Sequence, residues 1–481
     1  MSENGQRPLR RCANSSRVTL DADSCYRALC ARDRRFDGVF FVGVKTTGIY
    51  CRPVCPARTP GRDRCAFFAL AAEAEREGFR ACFRCRPERA PGAKREDGAG
   101  RAVAAILASV DTSPRVETVA ARLGMTSRHL RRVVQAELGV SPVELVATRR
   151  LALARELLLD TELSITEIVF ASGFGSVRRF NAAFVARYGR PPSALRRTES
   201  HAIGDEGDRV RLSLEYRPPL DFVALLDFLG SRAIRGVELV QDGVYQRTVR
   251  TGSKRGLVCV RPLPGRHALE LAVSPSLVRT LLPVVARARR LFDLDAQPAL
   301  IDAHLSKDRR LAALVRRRPG LRLPGAWDEH ELAIRAVLGQ QVSVAAARTF
   351  AGRLVELFDG WPSAAQVARS PERSLTGIGL TAARARTLRT LCAALAQGDV
   401  ALTPGADAVQ TRAALTEIPG IGPWTADYIA MRALGCPDAF PAGDLGLRKA
   451  LGGVSERQCL ALAERWRPWR AYAAIHLWAS N

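Results

Sequence analysis

The stretch from Leu415 to Leu451 most limits how this chain can fold, because two glycine- and proline-rich breaks divide it into three short helices. The first break, Ile418 to Gly422, is too rich in glycine to continue a helix, and its glycines can adopt the positive φ angles that a tight reversal needs. A helix that begins near Pro423 would direct unpaired backbone N–H groups out of this hairpin, where they can hold a phosphate. Asp444 follows the second break and can serve as the N-cap of the third helix.

The charge of the chain indicates a polyanionic partner. Lysine and arginine total 73 against 48 acidic residues, which gives a net charge of +25, and nearly all of the positive charge is arginine. A compositional bias can favour arginine over lysine, but it does not create such an excess of bases over acids. Nucleic acid is the commonest partner that accounts for this excess.

Length and hydropathy set further limits. The chain has 481 residues, 47% of them hydrophobic, which is enough for roughly three or four domains with real cores. No apolar run is long enough to cross a bilayer, and the N-terminus lacks the apolar centre of a secretory signal. We therefore expect a cytoplasmic protein.

Four cysteines have the spacing of a metal site. Three residues separate Cys51 from Cys55, two separate Cys82 from Cys85, and 26 residues lie between the pairs. In a reducing cytoplasm this pattern is more typical of zinc than of disulfides. We expect one Zn²⁺ with all four cysteines as its ligands.

The surroundings of these cysteines resemble the N-terminal zinc domain of the Ada adaptive-response family, on the runs Lys45 to Arg58 and Phe67 to Arg80. The resemblance implies that the thiolate of Cys51 accepts a methyl group from a methylated DNA phosphotriester, once per molecule. Zinc keeps a thiolate ionised yet nucleophilic at neutral pH. We expect Thr47, Arg52 and Arg58 to contact DNA. The two arginines would hold the flanking phosphates.

A repeated helical pattern follows. Residues 116–134 and 165–181 each have the helix–glycine turn–helix spacing of a DNA-binding module, and Ser127 and Ser176 are the expected N-caps of the second helices. With the closing run Phe184 to Pro192, this region resembles an AraC-type regulator domain. The resemblance implies contacts to the major groove or its phosphates by Arg128, Arg131, Arg178 and Arg179. A merely solvated arginine face is the alternative.

Polar, breaker-rich linkers are predicted at 87–100 and 197–208, and the pattern changes after the second. Alternating Val210, Leu212 and Leu214 predict a strand, and Asp221 to Ser231 predicts an amphipathic helix. Further strand-like runs lie at 237–240, 245–249, 256–261 and 268–273. No catalytic constellation is visible in this antiparallel α+β segment. From Ser274 onward we predict about nine or ten helices.

The C-terminal region resembles AlkA, the DNA-3-methyladenine glycosylase II family of the helix-hairpin-helix superfamily, and the α+β segment matches the N-terminal lobe of that family more loosely. The stretches that carry the resemblance are Ile334 to Ser343, the hairpin, Phe440 to Leu447 and Trp466 to Trp478. The resemblance implies that Asp444 is the catalytic aspartate. A desolvated carboxylate beside C1′ stabilises the oxocarbenium character of the sugar as the base departs. Asp427 is the nearest rival, expected to be solvent-facing or structural.

The same resemblance implies how the base is held. Excision requires the nucleotide to leave the stack, and an electron-rich ring attracts a cationic alkylated purine by roughly 0.5–2 kcal/mol. The expected walls are Trp424, Tyr428 and Trp478. The expected DNA contacts are Gln341, Gly420, Gly422 and Thr425, with Gln341 replacing the leucine wedge of AlkA.

Two features refine the expected reaction. Lyase-competent relatives carry a lysine two positions after the last hairpin glycine, where this chain has Trp424. Without that amine we expect a monofunctional enzyme that leaves an abasic site. The four-cysteine iron–sulfur loop of some relatives is absent, so no such cluster is expected. The active-site motif of O6-alkylguanine methyltransferases is absent as well, so a glycosylase stands where a complete Ada protein carries that domain.

Together these patterns predict a multidomain, mainly α protein. The expected domains are a small zinc-bound α+β domain (1–90), an all-α tandem helix-turn-helix domain (100–197), an antiparallel α+β lobe (208–285) and an all-α helix-hairpin-helix glycosylase domain (286–481). The expected function joins a methylphosphotriester sensor and transcription activator to a base-excision enzyme. Expected partners are damaged and operator DNA and RNA polymerase, with the protein acting as a monomer. The alternative is a regulator whose C-terminal half only binds DNA.

Overall fold

The computed structural model describes residues 21–92, 98–108, 116–196, 209–251 and 254–480. The predicted linker at 197–208 lies outside the described residues, as do residues 93–97 of the linker at 87–100. Within the described ranges no helix is both long and apolar enough to span a bilayer.

The N-terminal region is a small α+β unit built on a four-stranded sheet. Its elements are α1 (Ala22–Cys30), β1 (Phe41–Val44), β2 (Ile49–Cys51), β3 (Cys65–Phe68), α2 (Ala71–Arg76) and β4 (Arg80–Ala81). The strand order is β3-β1-β2-β4, with β2 and β4 parallel and the other pairs antiparallel. The parallel pair is important for the metal site, because it brings two distant parts of the chain side by side.

Two helix-turn-helix units follow, joined by one long helix. The helices are α3 (Gly98–Ala108), α4 (Val116–Arg122), α5 (Ser127–Leu138), α6 (Pro142–Asp160), α7 (Ile165–Ala171) and α8 (Val177–Tyr188). Ser176 caps α8 as predicted, but the cap of α5 is Thr126, whose hydroxyl accepts from the His129 N–H at 3.2 Å. The prediction for Ser127 is wrong because two adjacent residues are both good caps and the helix begins after the first.

The α+β lobe contains one helix, α9 (Phe222–Gly230), against an antiparallel sheet in the order β5-β9-β8-β7-β6. Its strands are β5 (Val210–Glu215), β6 (Glu238–Gln241), β7 (Val244–Thr251), β8 (Lys254–Pro262) and β9 (Ala268–Val273). All five predicted strands are confirmed. The alternation that predicted them is visible in β7, where Tyr245, Arg247 and Val249 are buried between more exposed neighbours.

The rest of the described chain is helical, with thirteen α-helices where about nine or ten were expected. They are α10 (Leu281–Leu291), α11 (Pro298–Leu305), α12 (Arg309–Arg317), α13 (Glu329–Leu338), α14 (Val344–Leu357), α15 (Ala364–Arg369), α16 (Glu372–Gly377), α17 (Ala382–Gln397), α18 (Ala408–Thr416), α19 (Pro423–Arg432), α20 (Leu445–Ala450), α21 (Glu456–Ala463) and α22 (Arg470–Trp478). Several have only six residues, too few to show a helical period in the sequence.

Two hydrophobic cores meet at α19. Ala426 and Ile429 pack into a core with α13 and α17, whereas Ala430 and Met431 pack into a second core with α11, α12 and α22. Because α19 is packed on two sides, the side chains of its first two turns, which include Trp424 and Tyr428, are held in fixed positions. The predicted fold class, a multidomain and mainly helical protein with two α+β parts, is confirmed.

Candidate active site and metal centre

The hairpin between α18 and α19 has the predicted form. Gly420 has φ +89°, and a Cβ at this position would lie 2.2 Å from the Thr387 hydroxyl oxygen, so glycine is required here. Gly422 is the N-cap of α19 with φ −91°, so of these two glycines only Gly420 uses a positive φ. No side chain caps α19, and both glycines are exposed, so the first N–H groups of the helix remain open to an anion.

Asp444 is fixed by three hydrogen bonds. Its Oδ1 accepts from the Leu447 backbone N–H at 3.0 Å, which makes it the N-cap of α20. The indole Nε1 of Trp478 donates to Oδ1 at 2.9 Å, and that of Trp424 donates to Oδ2 at 3.1 Å. The two indoles hold the carboxylate in one orientation at the edge of a cavity.

The three predicted aromatic residues line this cavity together. The rings of Trp424 and Tyr428 are stacked, with centroids 5.6 Å apart and planes 14° apart. Trp478 stands 6.4 Å from Tyr428 at 57°. The cavity measures about 340 Å³, which is large enough for a purine, and Asp444 also lines it. The structure therefore brings together four residues that are up to 54 positions apart in the chain.

Arg432 is a member of the site that sequence reasoning missed. It lies one turn after Tyr428 on α19 and donates to the Tyr428 hydroxyl at 2.7 Å and to the Gly325 carbonyl at 3.0 Å. Burial raises the pKa of the Tyr428 hydroxyl, but the guanidinium groups of Arg432, Arg232 and Arg335 together outweigh burial and hold that pKa below its ordinary value. The i, i+4 spacing from Tyr428 was the signal that could have revealed it.

The α+β lobe contributes one wall, although no catalytic constellation is visible in its sequence. Arg232, just after α9, lines the cavity, and its guanidinium lies over the Phe228 ring at 3.8 Å. The guanidinium of Arg432 approaches the same ring at 4.8 Å. The spacing of Phe228 and Arg232 carries no catalytic signature of its own, so only the tertiary structure shows this wall.

A buried quartet of charges supports this wall. Arg335 on α13 donates to Glu238 at 2.8 Å and to Glu331 at 2.9 Å, and Arg247 is paired with the same two carboxylates. Burial alone would raise the pKa of Glu238, but Arg335 and Arg247 hold it below its ordinary value. Two positive and two negative groups balance, so the quartet ties α13 to the sheet without adding net charge.

Three further predicted residues are placed as follows. Gln341 is exposed with φ +53° at the tip of the turn between α13 and α14, next to cavity-lining Val342. Thr425 is 2% exposed, and its hydroxyl accepts from the Gln340 amide at 3.0 Å, so its side chain is held within the protein; its contact with DNA stays a prediction. Asp427 is buried and paired with Arg412 at 2.7 Å, and burial raises its pKa to about 6. That is the structural role expected for Asp427.

The four predicted metal ligands also converge. The sulfur atoms of Cys51, Cys55, Cys82 and Cys85 all lie within 4.8 Å of one another. Tetrahedral zinc, with Zn–S bonds of about 2.3 Å, requires sulfur atoms about 3.8 Å apart, so this set fits one Zn²⁺. The parallel pairing of β2 with β4 creates the site, because it sets Cys51 beside Cys82. Cys51 is partly exposed, whereas the other three cysteines are buried.

The residues next to the metal ligands differ from expectation in one case. Arg52 is 5% exposed; its guanidinium is paired with Asp37 and with Glu215 of β5, and it donates to the Cys85 carbonyl at 3.1 Å. Its prediction as a phosphate contact is wrong, because a partner 163 residues away already holds the charge. Thr47 and Arg58 are exposed and accessible to DNA.

The helix-turn-helix arginines are all exposed. Arg128 and Arg131 lie on α5, and Arg178 and Arg179 lie in the first turn of α8. Arg131 makes an ion pair with Glu117 at 3.0 Å, but both side chains are more than half exposed, so solvent weakens this pair. All four can reach a duplex that approaches these helices.

Family models match nearly the whole described chain. They are the metal binding domain of Ada (residues 24–88), a helix-turn-helix domain (119–198), the AlkA N-terminal domain (211–328) and the HhH-GPD superfamily of base excision DNA repair proteins (334–456).

Full-length relatives combine the same parts. The chain is 42% identical to a probable bifunctional transcriptional activator/DNA repair enzyme AlkA of Mycobacterium tuberculosis, over 96% of both chains. It is 36% identical to DNA-3-methyladenine glycosylase 2 of Escherichia coli, over 55% of this chain and 96% of that protein. It is also 36% identical to the bifunctional transcriptional activator/DNA repair enzyme Ada of Escherichia coli, over 32% of this chain and 43% of that protein.

Proposed function

This chain belongs to the family of bifunctional transcriptional activator/DNA repair enzymes of the AlkA type, and we propose that it is a DNA glycosylase that releases alkylated purines such as 3-methyladenine from double-stranded DNA. The observation that carries the proposal is the carboxylate of Asp444, held by two indole N–H groups at the edge of an aromatic cavity. A module that only binds DNA needs neither the fixed carboxylate nor the cavity.

The geometry supports a dissociative hydrolysis. A purine that enters the cavity meets the stacked faces of Trp424 and Tyr428, and a cationic purine is attracted by these rings. Its deoxyribose then lies at the mouth, near Asp444. As the N-glycosidic bond breaks, the electron pair leaves with the base, and the carboxylate stabilises the positive charge on C1′. Water adds to C1′ and loses its proton to complete the hydrolysis.

We propose that the product is an intact abasic strand. Strand cleavage by a glycosylase of this superfamily requires an amine nucleophile, and no lysine lines the described cavity. Trp424 occupies the expected lysine position and its N–H group donates to Asp444 instead. The enzyme therefore releases the base and leaves the phosphodiester backbone unbroken.

Timed release of 3-methyladenine from methylated duplex DNA tests this reaction. We expect Asp444→Asn to lower the single-turnover rate by roughly 10²–10³-fold, because it removes one preorganised charge and keeps a capping side chain. The matched control is Asp427→Asn, which alters a carboxylate on neighbouring α19 that is paired with Arg412 and should retain the rate. Equal rates for wild type and Asp444→Asn would remove this residue from the mechanism. If the wild-type protein released no base, the alternative of a regulator whose C-terminal half only binds DNA would be favoured.

We further propose that Cys51 takes a methyl group from a DNA phosphotriester. When bound, zinc keeps the sulfur ionised at neutral pH. The sulfur attacks the methyl carbon, the O–CH₃ bond breaks, and the phosphodiester leaves as an anion, so no further reactant is needed. Cys51 is favoured over the other ligands because it is the partly exposed one.

Mass spectrometry of the protein after incubation with methylated DNA tests this step. We expect one methyl group on the peptide that contains Cys51, and none in Cys51→Ala. Zinc content is measured in parallel, so that loss of the metal is not mistaken for loss of the acceptor. Methyl uptake by zinc-loaded Cys51→Ala would overturn the assignment.

We also propose that the tandem helix-turn-helix units activate transcription. Two motifs in one chain can reach adjacent turns of a duplex, so a monomer is sufficient for operator binding. The exposed arginines of α5 and α8 support this proposal. The bound protein would then contact RNA polymerase. We expect Arg178→Ala and Arg179→Ala to lose the operator footprint. We expect sedimentation of the protein to give the mass of a monomer.

A further inference from the structure

A strongly basic surface surrounds α12 and has no role in the mechanism above. Six cations are exposed within twelve consecutive residues: Lys307, Arg309, Arg310, Arg316, Arg317 and Arg318. We call these six residues the α12 surface. The buried side of the same helix consists of Leu311 and Val315, so one face packs and the other is almost entirely cationic.

No acidic side chain in the described part of the chain makes an ion pair with any of the six cations. Asp308, the one acid within this stretch, caps α12 through its side chain and lies 3.6 Å from Arg465. Many other arginines of this protein are paired with carboxylates, such as Arg290 with Glu329 at 2.7 Å. Six adjacent cations repel one another, so an unpaired cluster raises the energy of the free protein and favours an anionic partner.

The α12 surface forms one side of an open groove close to the base cavity. The groove measures about 370 Å³, and its lining includes Arg310, Arg317, Gly452 and Leu477. Leu477 is followed by Trp478, a wall of the base cavity, and Gly452 lies just beyond α20, which begins after Asp444. A six-residue helix is about 9 Å long, so the groove is about one short helix away from the reacting carbon.

The groove and the hairpin pack against different hydrophobic cores beside the base cavity. The hairpin residues Ile418 and Ile421 pack into the core of α13 and α17, whereas Leu311 and Val315 of α12 pack into the other core with α22. The cavity lies where these two cores meet. The α12 surface is therefore a cationic surface separate from the hairpin.

We propose that the α12 surface is a second phosphate-binding arm, which holds the DNA backbone beside the base cavity at a place separate from the hairpin. This inference rests on the proposed glycosylase function and adds a surface to it. Arg310 and Arg317 are two helical turns apart, about 10 Å. That distance equals the rise of about three nucleotides along one strand. The two arginines can therefore contact separate phosphates of the same backbone.

Salt dependence tests the proposal because each lost phosphate contact lowers the slope of log K against log [salt] by about one. The full-length protein is titrated with a duplex that contains a stable abasic-site analogue, at several salt concentrations. Half-saturating enzyme concentrations for single-turnover release of 3-methyladenine are measured over the same range. We expect Arg310→Gln with Arg317→Gln to lower both slopes by about two, while the maximal rate at saturation stays at the wild-type value.

Two further variants complete the design. Arg310→Lys with Arg317→Lys retains the charge and should keep the wild-type slope. Arg255→Gln with Arg266→Gln neutralises two exposed arginines of the α+β lobe and serves as the matched control for net charge. Equal slopes for the α12 and lobe variants would overturn the proposal and show that the α12 surface is only exposed to solvent. A reduced maximal rate with an unchanged slope would overturn it as well, in favour of a structural role.

The two proposals fail in different ways. If wild type releases no base, the glycosylase assignment fails, and the slope for the abasic-site duplex still decides whether the α12 surface binds phosphate. If wild type releases base and the α12 variant has an unchanged slope, only the second arm is excluded.

Discussion

The zinc centre and the base cavity differ in how far along the chain their parts come from. The zinc ligands all lie within residues 51–85: Cys51 ends β2, and the other three lie in the segments that follow β2 and β4. The cavity takes its walls from α9, α13, α14, α19 and the ends of α20 and α22. The zinc centre can be predicted from the sequence because its ligands are closely spaced along the chain. The cavity can be predicted only in part, because its walls come from distant elements.

The two sites also differ in how they use arginine. At the zinc centre Arg52 is fixed by acids and has no freedom to contact a ligand. At the cavity Arg232 and Arg432 lie over aromatic rings and face the space that a base would occupy. Charge in the sequence therefore does not tell whether an arginine is structural or functional; the partners that the folded protein gives its guanidinium decide.

The largest expected effect tests whether the two sites are separate units. Cys82→Ser removes a buried zinc ligand, and structural zinc contributes roughly 10–16 kcal/mol to the folding of small zinc domains. We expect loss of bound zinc and of the folded N-terminal unit, measured by metal analysis and near-UV circular dichroism. Release of 3-methyladenine should persist. If release is lost in parallel with zinc, the two sites belong to one cooperative unit and the contrast between them fails.

A smaller effect is expected at the junction between the two units. Arg217 is 1% exposed and donates to the carbonyls of Asp37 and Gly92 at 2.8 Å and of Asp295 at 3.0 Å. We expect Arg217→Ala to lower the free energy of unfolding by about 3 kcal/mol, because several buried carbonyls lose their donor. Chemical denaturation measures this loss. Arg255→Ala, at an exposed arginine, should stay within about 0.5 kcal/mol of wild type; equal losses would contradict the structural role of Arg217.

Tyr428→Phe separates the ring from the hydroxyl at the cavity. The stacked ring remains, but a buried donor of Arg432 loses its acceptor, which should cost about 1–2 kcal/mol of stability. Base release should remain near wild type, because the ring face and not the hydroxyl contacts the base. Thermal unfolding and release assays on Tyr428→Phe and Tyr428→Ala make the comparison. A Phe variant as inactive as the Ala variant would show that the hydroxyl itself takes part.

The last expected effect is confined to a window of pH and concerns the stability contributed by Asp427. Burial raises its pKa to about 6 in the folded protein, above the ordinary value of 3.8. The folded state then binds this proton more tightly than the unfolded state, so its contribution to stability is present at low pH and is lost as pH rises from about 4 to about 6. The contribution is at most about 3 kcal/mol. We expect Asp427→Asn to flatten the dependence across this window, and an unchanged difference from wild type between pH 4 and pH 7 would contradict the shift.

Much of the fold was predictable from the sequence, because local patterns determine it. The period-two alternation predicted all five strands of the α+β lobe, and the doubled glycine turn predicted both helix-turn-helix units. The breaks at Gly420 and before Asp444 predicted α19 and α20. The helix count was less accurate, because six-residue helices such as α15 and α16 show no complete period.

Part of the candidate site was predictable for the same reason. Trp424 and Tyr428 lie on one face of one helix, and Asp444 follows a helix break, so their placement depends on local geometry. The burial of the Thr425 side chain was not predictable, because its neighbour Gln340 comes from a distant turn. Arg52 was wrongly predicted because Glu215, far along the chain, pairs with it.

The sequence by itself therefore determined the identity of the metal ligands, the hairpin, and the aspartate that caps α20. Each depends on spacing within a few tens of residues, which a sequence displays directly. Only the tertiary structure decided that two indoles hold Asp444, that Arg432 lies against Tyr428, and that Arg52 is buried. These contacts arise where separate elements pack together, and burial changes the energy of a charge according to neighbours that the sequence order does not reveal.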